Sequence, residues 1–427
     1  MAALLKMEMS PLKQAVILAA GASTRTHPLT LDRPKPLLPL LNKPILQHTL
    51  EQLNGLVEEV ILVVGYRQGQ MRDFFGDRFS GLRLTYCVQE EQRGTGHALR
   101  QASAFVSGRF LLLNGDDLVH RRDLEAVASY RYGMLGAPVK DPRPFGVLEL
   151  DEEGCVANII EKPEHFYFQG PALVNTGVFV FQPDVFEILA AVGLSRRGEY
   201  ELVDIVRLLP PGDRCRVAVV QEYWLPVGYP WNLLEANRFL LERSANTPPR
   251  LDGVSVEPPV IVGSGSTVEP GCTLGPGTTI GRDCHVAGGS CLENCLVMDG
   301  VTIGSGCLLR DTIVCDGVLL EAGVVTQTEP ETGATVLSAV KGRLRDTGRS
   351  RLGAVIGTGA HVGRGSLLHA GVKVWPGLHV AEGATVRADV EGAWTVFSSP
   401  AMLSPLNVNS VRSSASAARR CVRPSAN

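Results

Sequence analysis

Residues 15–44, AVILAAGASTRTHPLTLDRPKPLLPLLNKP, run from an apolar strand straight into a loop suited to a polyphosphate. Ala15 to Ala20 is an unbroken apolar stretch, the pattern of a strand buried on both faces in a parallel sheet. Gly21 follows, and a glycine here predicts a turn through positive φ, which other residues enter only at a cost. Ser23, Thr24 and Arg25 then offer hydroxyls, backbone N–H groups and a guanidinium. Lys35 comes next, between Pro34 and Pro36, which are expected to hold its loop extended. This is an anion-binding loop after a buried strand, and it points to an α/β fold.

Two further stretches carry chemistry. In residues 88–99, VQEEQRGTGHAL, the Gln89 amide can donate to and accept from a pyrimidine edge. Gly94 lets a base lie against backbone, and Thr95 adds a hydroxyl. His97 is read as a packed or solvated residue at a helix start, not as a base. In residues 110–118, FLLLNGDDL, an apolar strand ends in two aspartates at the carboxyl edge of the sheet, where open α/β folds hold their ligands. One carboxylate there fits Mg²⁺, a hard cation usually held by one or two carboxylates and substrate phosphate.

Leu18-Ala19-Ala20-Gly21-Ala22-Ser23-Thr24-Arg25, Pro28-Leu29-Thr30 and Pro34-Lys35-Pro36-Leu37-Leu38-Pro39 together resemble the signature L-A-A-G-x-G-T-R…P-L-T…P-K-x-x-x-P of the sugar-1-phosphate nucleotidylyltransferases. Residues 88–99 resemble the uridyltransferase segment Q-x-E-Q-x-G-T-G-H-A. Asn175, with Thr176-Gly177, and Glu161-Lys162-Pro163 and Phe145-Gly146 resemble the family's N-x-G, E-K-P and Y-G segments. The resemblance implies that Gly21, Ser23, Thr24, Gln89, Gly94 and Thr95 bind nucleotide and that Arg25 and Lys35 offset charge on the pyrophosphate. It further implies that Asp116 holds Mg²⁺ and that Gly146, Glu161, Lys162 and Asn175 hold the sugar phosphate. Three positions depart from the pattern. Ser23 replaces the second glycine of the loop, Pro226 stands where relatives have the aspartate that is their second Mg²⁺ ligand, and Asn232 replaces another aspartate. Proline offers no ligand atom on its side chain, so something else must fill that position.

From about Leu251 the composition turns to Gly, Val, Thr and Cys, and aliphatic residues recur every sixth position at Val262, Val268, Leu274, Ile280, Val286 and Leu292. The same period returns at Ile356, Val362, Leu368, Val374, Val380 and Val386. A period of six predicts a parallel β-helix in which each short strand turns one aliphatic inward. The left hand comes only from resemblance to hexapeptide-repeat proteins. Residues 325–353 lose the period and read as a projecting loop. In bifunctional relatives such a domain acetylates glucosamine-1-phosphate, but Glu321 to Thr328 lacks their asparagine, and His361, His369 and His379 read as solvated face residues. Acetyltransferase activity is not expected.

The predicted architecture is therefore an N-terminal extension (1–11) and a Rossmann-like, mostly parallel nucleotidylyltransferase domain (12–250). A left-handed β-helix (251–395) and a disordered tail (396–427) follow. By resemblance the reaction is Mg²⁺-dependent transfer of a nucleotidyl group from UTP or dTTP to N-acetylglucosamine-1-phosphate or glucose-1-phosphate. Two alternatives stay open: a regulatory or scaffold subunit that binds nucleotide-sugar, and a mannose-1-phosphate guanylyltransferase. The net charge of -3 over 427 residues gives no basic patch of the nucleic-acid kind. No apolar run reaches membrane-spanning length, the first ten residues do not read as a signal peptide, and the 10 cysteines fit a reducing, cytoplasmic compartment. The β-helix is expected to assemble a homo-oligomer, a trimer by resemblance, and truncation near residue 250 to leave a soluble smaller species.

Overall fold

The computed structural model describes residues 11–392 except 164–169, 196, 211 and 246. The expected tail at 396–427 lies outside the described residues, as does nearly all of the N-terminal extension. The apolar run at the start forms the strand Gln14–Ala19, flanked in parallel by Glu59–Val64 on one side and Phe110–Asn114 on the other. Leu82–Val88 extends the parallel half. Beyond Phe110–Asn114 the sheet changes character. The long strand Ala172–Phe181 runs antiparallel and pairs with Gly133–Val139, and Gly146–Leu150 and Val156–Glu161 form an antiparallel edge. Ile17, Leu62, Leu111 and Leu112 are fully buried, because helices cover both faces of the central strands.

The second half is a parallel β-helix of three sheets, one of seven strands and two of six. Each coil stacks on the next, so that Val256 pairs with Leu274 and Leu274 with Leu292. The inward residues of the sixfold pattern, Leu274, Ile280, Val286 and Leu292, are fully buried in one continuous core. The sequence presents two separate runs, yet the helix is unbroken between them. Coils are offset by 18 residues at Thr267 and His285 but by 17 at Asn294 and Asp311, so a strict period of six slips out of register after Leu292. Val297, Ile303, Leu309, Val314 and Leu320 continue the inward stack. The segment expected as a loop begins with one more strand of the helix, Val325–Thr326, and carries an antiparallel hairpin, Leu337–Val340 with Arg343–Asp346.

The two domains share an apolar core that the sequence pattern hides. In the sheet containing Leu296–Val297, Ile313–Val314 and Val355–Ile356, neighbouring residues point to opposite faces. Val297, Val314 and Ile356 point inward, whereas Leu296, Ile313 and Val355 point outward and are equally buried, packed with Leu29, Leu38, Leu40, Trp231 and Leu233. Asn237, fully buried on the helix Pro230–Arg243, ties the seam. Its Oδ1 accepts from Leu41 N at 3.2 Å and Thr279 Oγ1 at 3.1 Å, and its Nδ2 donates to Gly277 O at 3.3 Å. Asn237→Ala strands these buried groups and is expected to destabilise the protein by about 3 kcal/mol. Denaturant unfolding monitored by tryptophan fluorescence checks this; an unchanged midpoint would show that water replaces the amide.

Candidate active site

The signature loop departs from its predicted backbone in an instructive way. Gly21 does not take positive φ; Ser23 does, at φ 50°, and so the residue standing in for the family's second glycine carries the left-handed turn. The hydroxyls of Thr26 and Thr30 both donate to Ser23 O, at 2.6 and 3.0 Å, and hold the turn against that strain. Lys35 also differs from expectation. Pro34 is extended, but Lys35–Leu37 is a 3₁₀ turn closed by Leu37 N to Pro34 O at 2.9 Å, and Pro36 suits its first turn because its φ is already set. The turn delivers the Lys35 side chain, 4% exposed, to Asp116, with Nζ to Oδ2 at 2.7 Å.

Asp116 sits where Phe110–Asn114 ends, and Gly115 N donates to Leu18 O at 2.9 Å, which fastens this loop to the first strand. Asp117 begins the strand Asp117–Val119, which pairs antiparallel with Trp224–Pro226 so that Pro226 stands directly opposite Asp117. Burial, and then the neighbouring Asp116 carboxylate, push the Asp117 carboxyl up to about 7, while Lys35 and the Asn114 amide pull it back. Two adjacent carboxylates whose mutual repulsion is relieved by a proton form a donor set that a divalent cation suits. Among the described residues no group of three or more His, Cys, Asp or Glu gathers at one point, so a cation here would complete its shell with phosphate and water. Asn232, the other departure, accepts from Tyr229 N at 3.0 Å through Oδ1 and caps the helix Pro230–Arg243.

Two cavities meet at this carboxyl edge. One, of about 310 Å³, is lined by Gly21, Ser23, Gln89, Gly94, Thr95 and Asp116. The other, of about 670 Å³, is lined by Arg25, Lys35, Asp116, Glu161, Lys162 and Asn175, with Gly146 and Thr95 also on its wall. Thr95, Asn114, Asp116 and Glu199 belong to both. Of the residues singled out from sequence, Thr24 alone lines neither; it lies on a third cavity behind Arg25.

In the smaller cavity Gln89 is 4% exposed and its Nε2 donates to Gly94 O at 3.3 Å and lies 3.0 Å from His97 Nδ1. Burial, then Arg100 and Arg93, lower the His97 pKa, so the ring stays neutral and accepts from the amide. His97 is thus tied to the candidate site through the Gln89 amide. Gly94 is in the positive-φ region at 101°, and a Cβ there would meet Tyr200 O at 2.6 Å and Tyr200 N at 2.8 Å. Tyr200 in turn binds Arg93 O and Gly96 N through its backbone, at 2.9 and 2.8 Å. Glu199 and Tyr200 had no local sequence signal; the tertiary pairing brings them in.

In the larger cavity Gly146 and Glu161 are register partners across the antiparallel edge, and Asn175 lies on the neighbouring strand. Its Oδ1 accepts from Gly177 N at 2.8 Å. Lys162 is held at φ 45°, a strained conformation for a lysine, with Nζ 3.3 Å from Glu161 Oε1. Of the β-helix histidines expected to be solvated, His369 is instead buried, at 7% exposure, with Nδ1 2.9 Å from Glu331 Oε1, while His361 Nε2 is 2.8 Å from Glu321 Oε1 and its ring stacks on His379 at 4.5 Å.

Residues 14–243 match the family described as nucleotidyl transferase, over more than half of the chain. The chain belongs to the nucleotidyl transferase family. Residues 256–376 match the domain described as the GMPPB C-terminal domain. Among nucleotidyl transferase relatives, the bifunctional protein GlmU of Methanococcus maripaludis is 37% identical over 229 residues, 54% of each chain. The bifunctional sugar-1-phosphate nucleotidylyltransferase/acetyltransferase of Sulfurisphaera tokodaii is 28% identical over 402 residues, 88% of this chain and 98% of that one. The UTP–glucose-1-phosphate uridylyltransferase AglF of Haloferax volcanii is 34% identical over 241 residues, 54% of this chain and 98% of its own. The chain spans about half the length of the first curated relatives it matches. No helix among the described residues is long and apolar enough to cross a membrane.

Proposed function

We propose that the protein transfers a nucleotidyl group from UTP or dTTP to a sugar-1-phosphate, releasing pyrophosphate, and acts in the cytoplasm. The observation that carries this reading is the meeting of the two cavities at Asp116 and Thr95, one lined by Gly21, Gln89 and Gly94, the other by Arg25, Lys35, Glu161, Lys162 and Asn175. The attacking group is already anionic, so no protein nucleophile is needed and catalysis reduces to alignment and charge neutralisation. An oxygen of the sugar phosphate forms a bond to the α-phosphorus, and the bond from that phosphorus to the bridging oxygen breaks. Lys162 orients the attacking phosphate, while Arg25 and Lys35 receive the charge that grows on the pyrophosphate. Asp116 and Asp117 would hold Mg²⁺, with Asp117 supplying the carboxylate that Pro226 cannot. When bound, the cation supplies charge neutralisation on the phosphate oxygens.

Pyrophosphate release, assayed with UTP, dTTP and GTP against a panel of sugar phosphates, tests the reading. GTP belongs in the panel because the C-terminal match carries a different protein's name from the N-terminal relatives. No release with any pair would leave the alternative of a nucleotide-sugar-binding regulatory or scaffold subunit. Chelation by EDTA should abolish release and added Mg²⁺ should restore it. We assign no acetyl transfer to the β-helix, and we propose assembly into a homo-oligomer, a trimer, through it.

Gly94→Ala forces a Cβ into the Tyr200 backbone and must shift the segment that positions Gln89. It is expected to weaken nucleotide binding by at least ~10-fold, equivalent to about 1.4 kcal/mol. Calorimetric titration with UTP reads this directly. Wild-type affinity in the variant would mean that the base does not lie against Gly94.

A further inference from the structure

The hairpin Leu337–Val340 with Arg343–Asp346 leaves the β-helix between the strands Val325–Thr326 and Val355–Ile356 and returns over the nucleotidyl transferase domain. Its base is fixed. Ser338 Oγ donates to Gly371 O at 2.8 Å, the buried Lys373 ammonium donates to Ala339 O, and Arg349 pairs with Glu235 on the helix Pro230–Arg243. Toward its far end Lys341, Arg343, Arg345 and Asp346 are all exposed. Arg345, Asp346, Thr347 and Gly348 line the 670 Å³ cavity, on the same wall as Arg25 and Tyr229.

Arg25 and Arg345 come from opposite ends of the chain to one aromatic ring. The Arg25 guanidinium carbon lies 5.6 Å from the Tyr229 ring centroid and that of Arg345 lies 5.3 Å from it. Among the described residues neither guanidinium forms an ion pair with a carboxylate, whereas the other two arginines lining this cavity, Arg143 and Arg197, do. Like charges gathered at one ring without a counter-charge repel, and the arrangement becomes favourable when an anion bridges them. On the other flank of the hairpin, Lys341 and Lys373 share a cavity with Arg25 and His27, and these two lysines, after burial, lower the His27 pKa. That cavity also carries one carboxylate, Glu391, which acts on the Lys373 ammonium, so Arg25 and Arg345 are the two guanidinium groups at the Tyr229 ring without an ion pair, and a guanidinium fork suits a phosphate.

We propose that Arg345 is a phosphate-binding residue of the transfer site, contributed by the β-helix domain, and that with Arg25 it grips the pyrophosphate portion of the nucleotide. The proposal rests on the nucleotidyl-transfer reading above, which supplies the polyphosphate. It gives the β-helix a direct part in the reaction, since the site is complete only when the hairpin lies over it.

Calorimetric titration of the full-length protein with inorganic pyrophosphate and Mg²⁺ tests this without requiring turnover. Arg345→Ala should bind pyrophosphate at least ~10-fold more weakly than wild type, and Arg345→Lys should recover part of the loss, because an ammonium supplies the charge without the fork. Arg343→Ala, two residues earlier on the same strand and off the cavity wall, should bind as wild type. Thermal melts of all three should match, since the changed side chains are exposed. Wild-type affinity in Arg345→Ala would overturn the proposal and leave the transfer reading intact. Equal weakening in Arg343→Ala would overturn it too, by reducing the effect to the general charge of the hairpin. Binding that depends on Arg345 in a protein that releases no pyrophosphate from any NTP would support the site and remove the transfer reading instead.

Discussion

Lys35→Ala should lower turnover by at least ~100-fold while leaving the melting temperature within a few degrees of wild type. Lys35 is buried to 4% exposure, and its ammonium meets Asp116 at 2.7 Å in the space between the two cavities. Removing it deletes the positive charge nearest the departing phosphates. It also leaves Asp116 and Asp117 side by side with no cation, which raises the cost of bringing a polyphosphate to them. Asp116→Asn in parallel should shift the Mg²⁺ titration to higher concentration, because one of two carboxylates is lost. Steady-state pyrophosphate release across a Mg²⁺ series reads both variants. Undiminished release by Lys35→Ala would remove it from the chemistry and leave it as a structural partner of Asp116.

Truncation after residue 250 should leave a fragment that aggregates, contrary to what two independent domain patterns in the sequence predict. Leu29, Leu38, Leu40, Ile45, Trp231, Leu233 and Leu234 are each at most 4% exposed and share their core with Leu296, Met298, Ile313 and Val355 of the β-helix. Cutting the chain bares this contiguous apolar face and strips Asn237 of two of its three partners, Thr279 and Gly277. Sedimentation and light scattering of residues 12–250 measure the outcome. A monodisperse fragment with the wild-type near-ultraviolet spectrum would mean that the domain closes over its own face. The loss of activity on truncation has a second source in the removal of Arg345, so solubility, and not turnover, is the decisive measurement.

Most of the residues that line the candidate cleft were legible because their motifs are written over short spans. A strand that ends in a polar, basic loop, a Gln followed by Gly-Thr, and a strand that ends in Asp-Asp each need only a few neighbouring residues to specify what they offer a ligand, and the parallel sheet brings their carboxyl ends together. What sequence reading misplaced is backbone detail that depends on distant or non-obvious partners. Ser23 rather than Gly21 takes the left-handed turn because Thr26 and Thr30 stand ready to hold its carbonyl. His97 joins the candidate site only once Gln89 lies beside it.

The sixfold aliphatic period by itself determined that the second half winds as a parallel β-helix, since one inward residue per strand is a local rule that any stretch of it states. Which outward residues are also buried is not a local property. Leu296, Ile313 and Val355 follow the same pattern as exposed positions elsewhere in the helix, and only the docking of Trp231, Leu233 and Leu40 against them decides that they form a core. The same holds for Asp117 opposite Pro226 and for Arg345 beside Arg25. The last two pairs join residues more than a hundred and more than three hundred positions apart. Their stability comes from surface removed from water, or charge brought together, when whole elements pack. No periodicity or motif within a single segment records that gain.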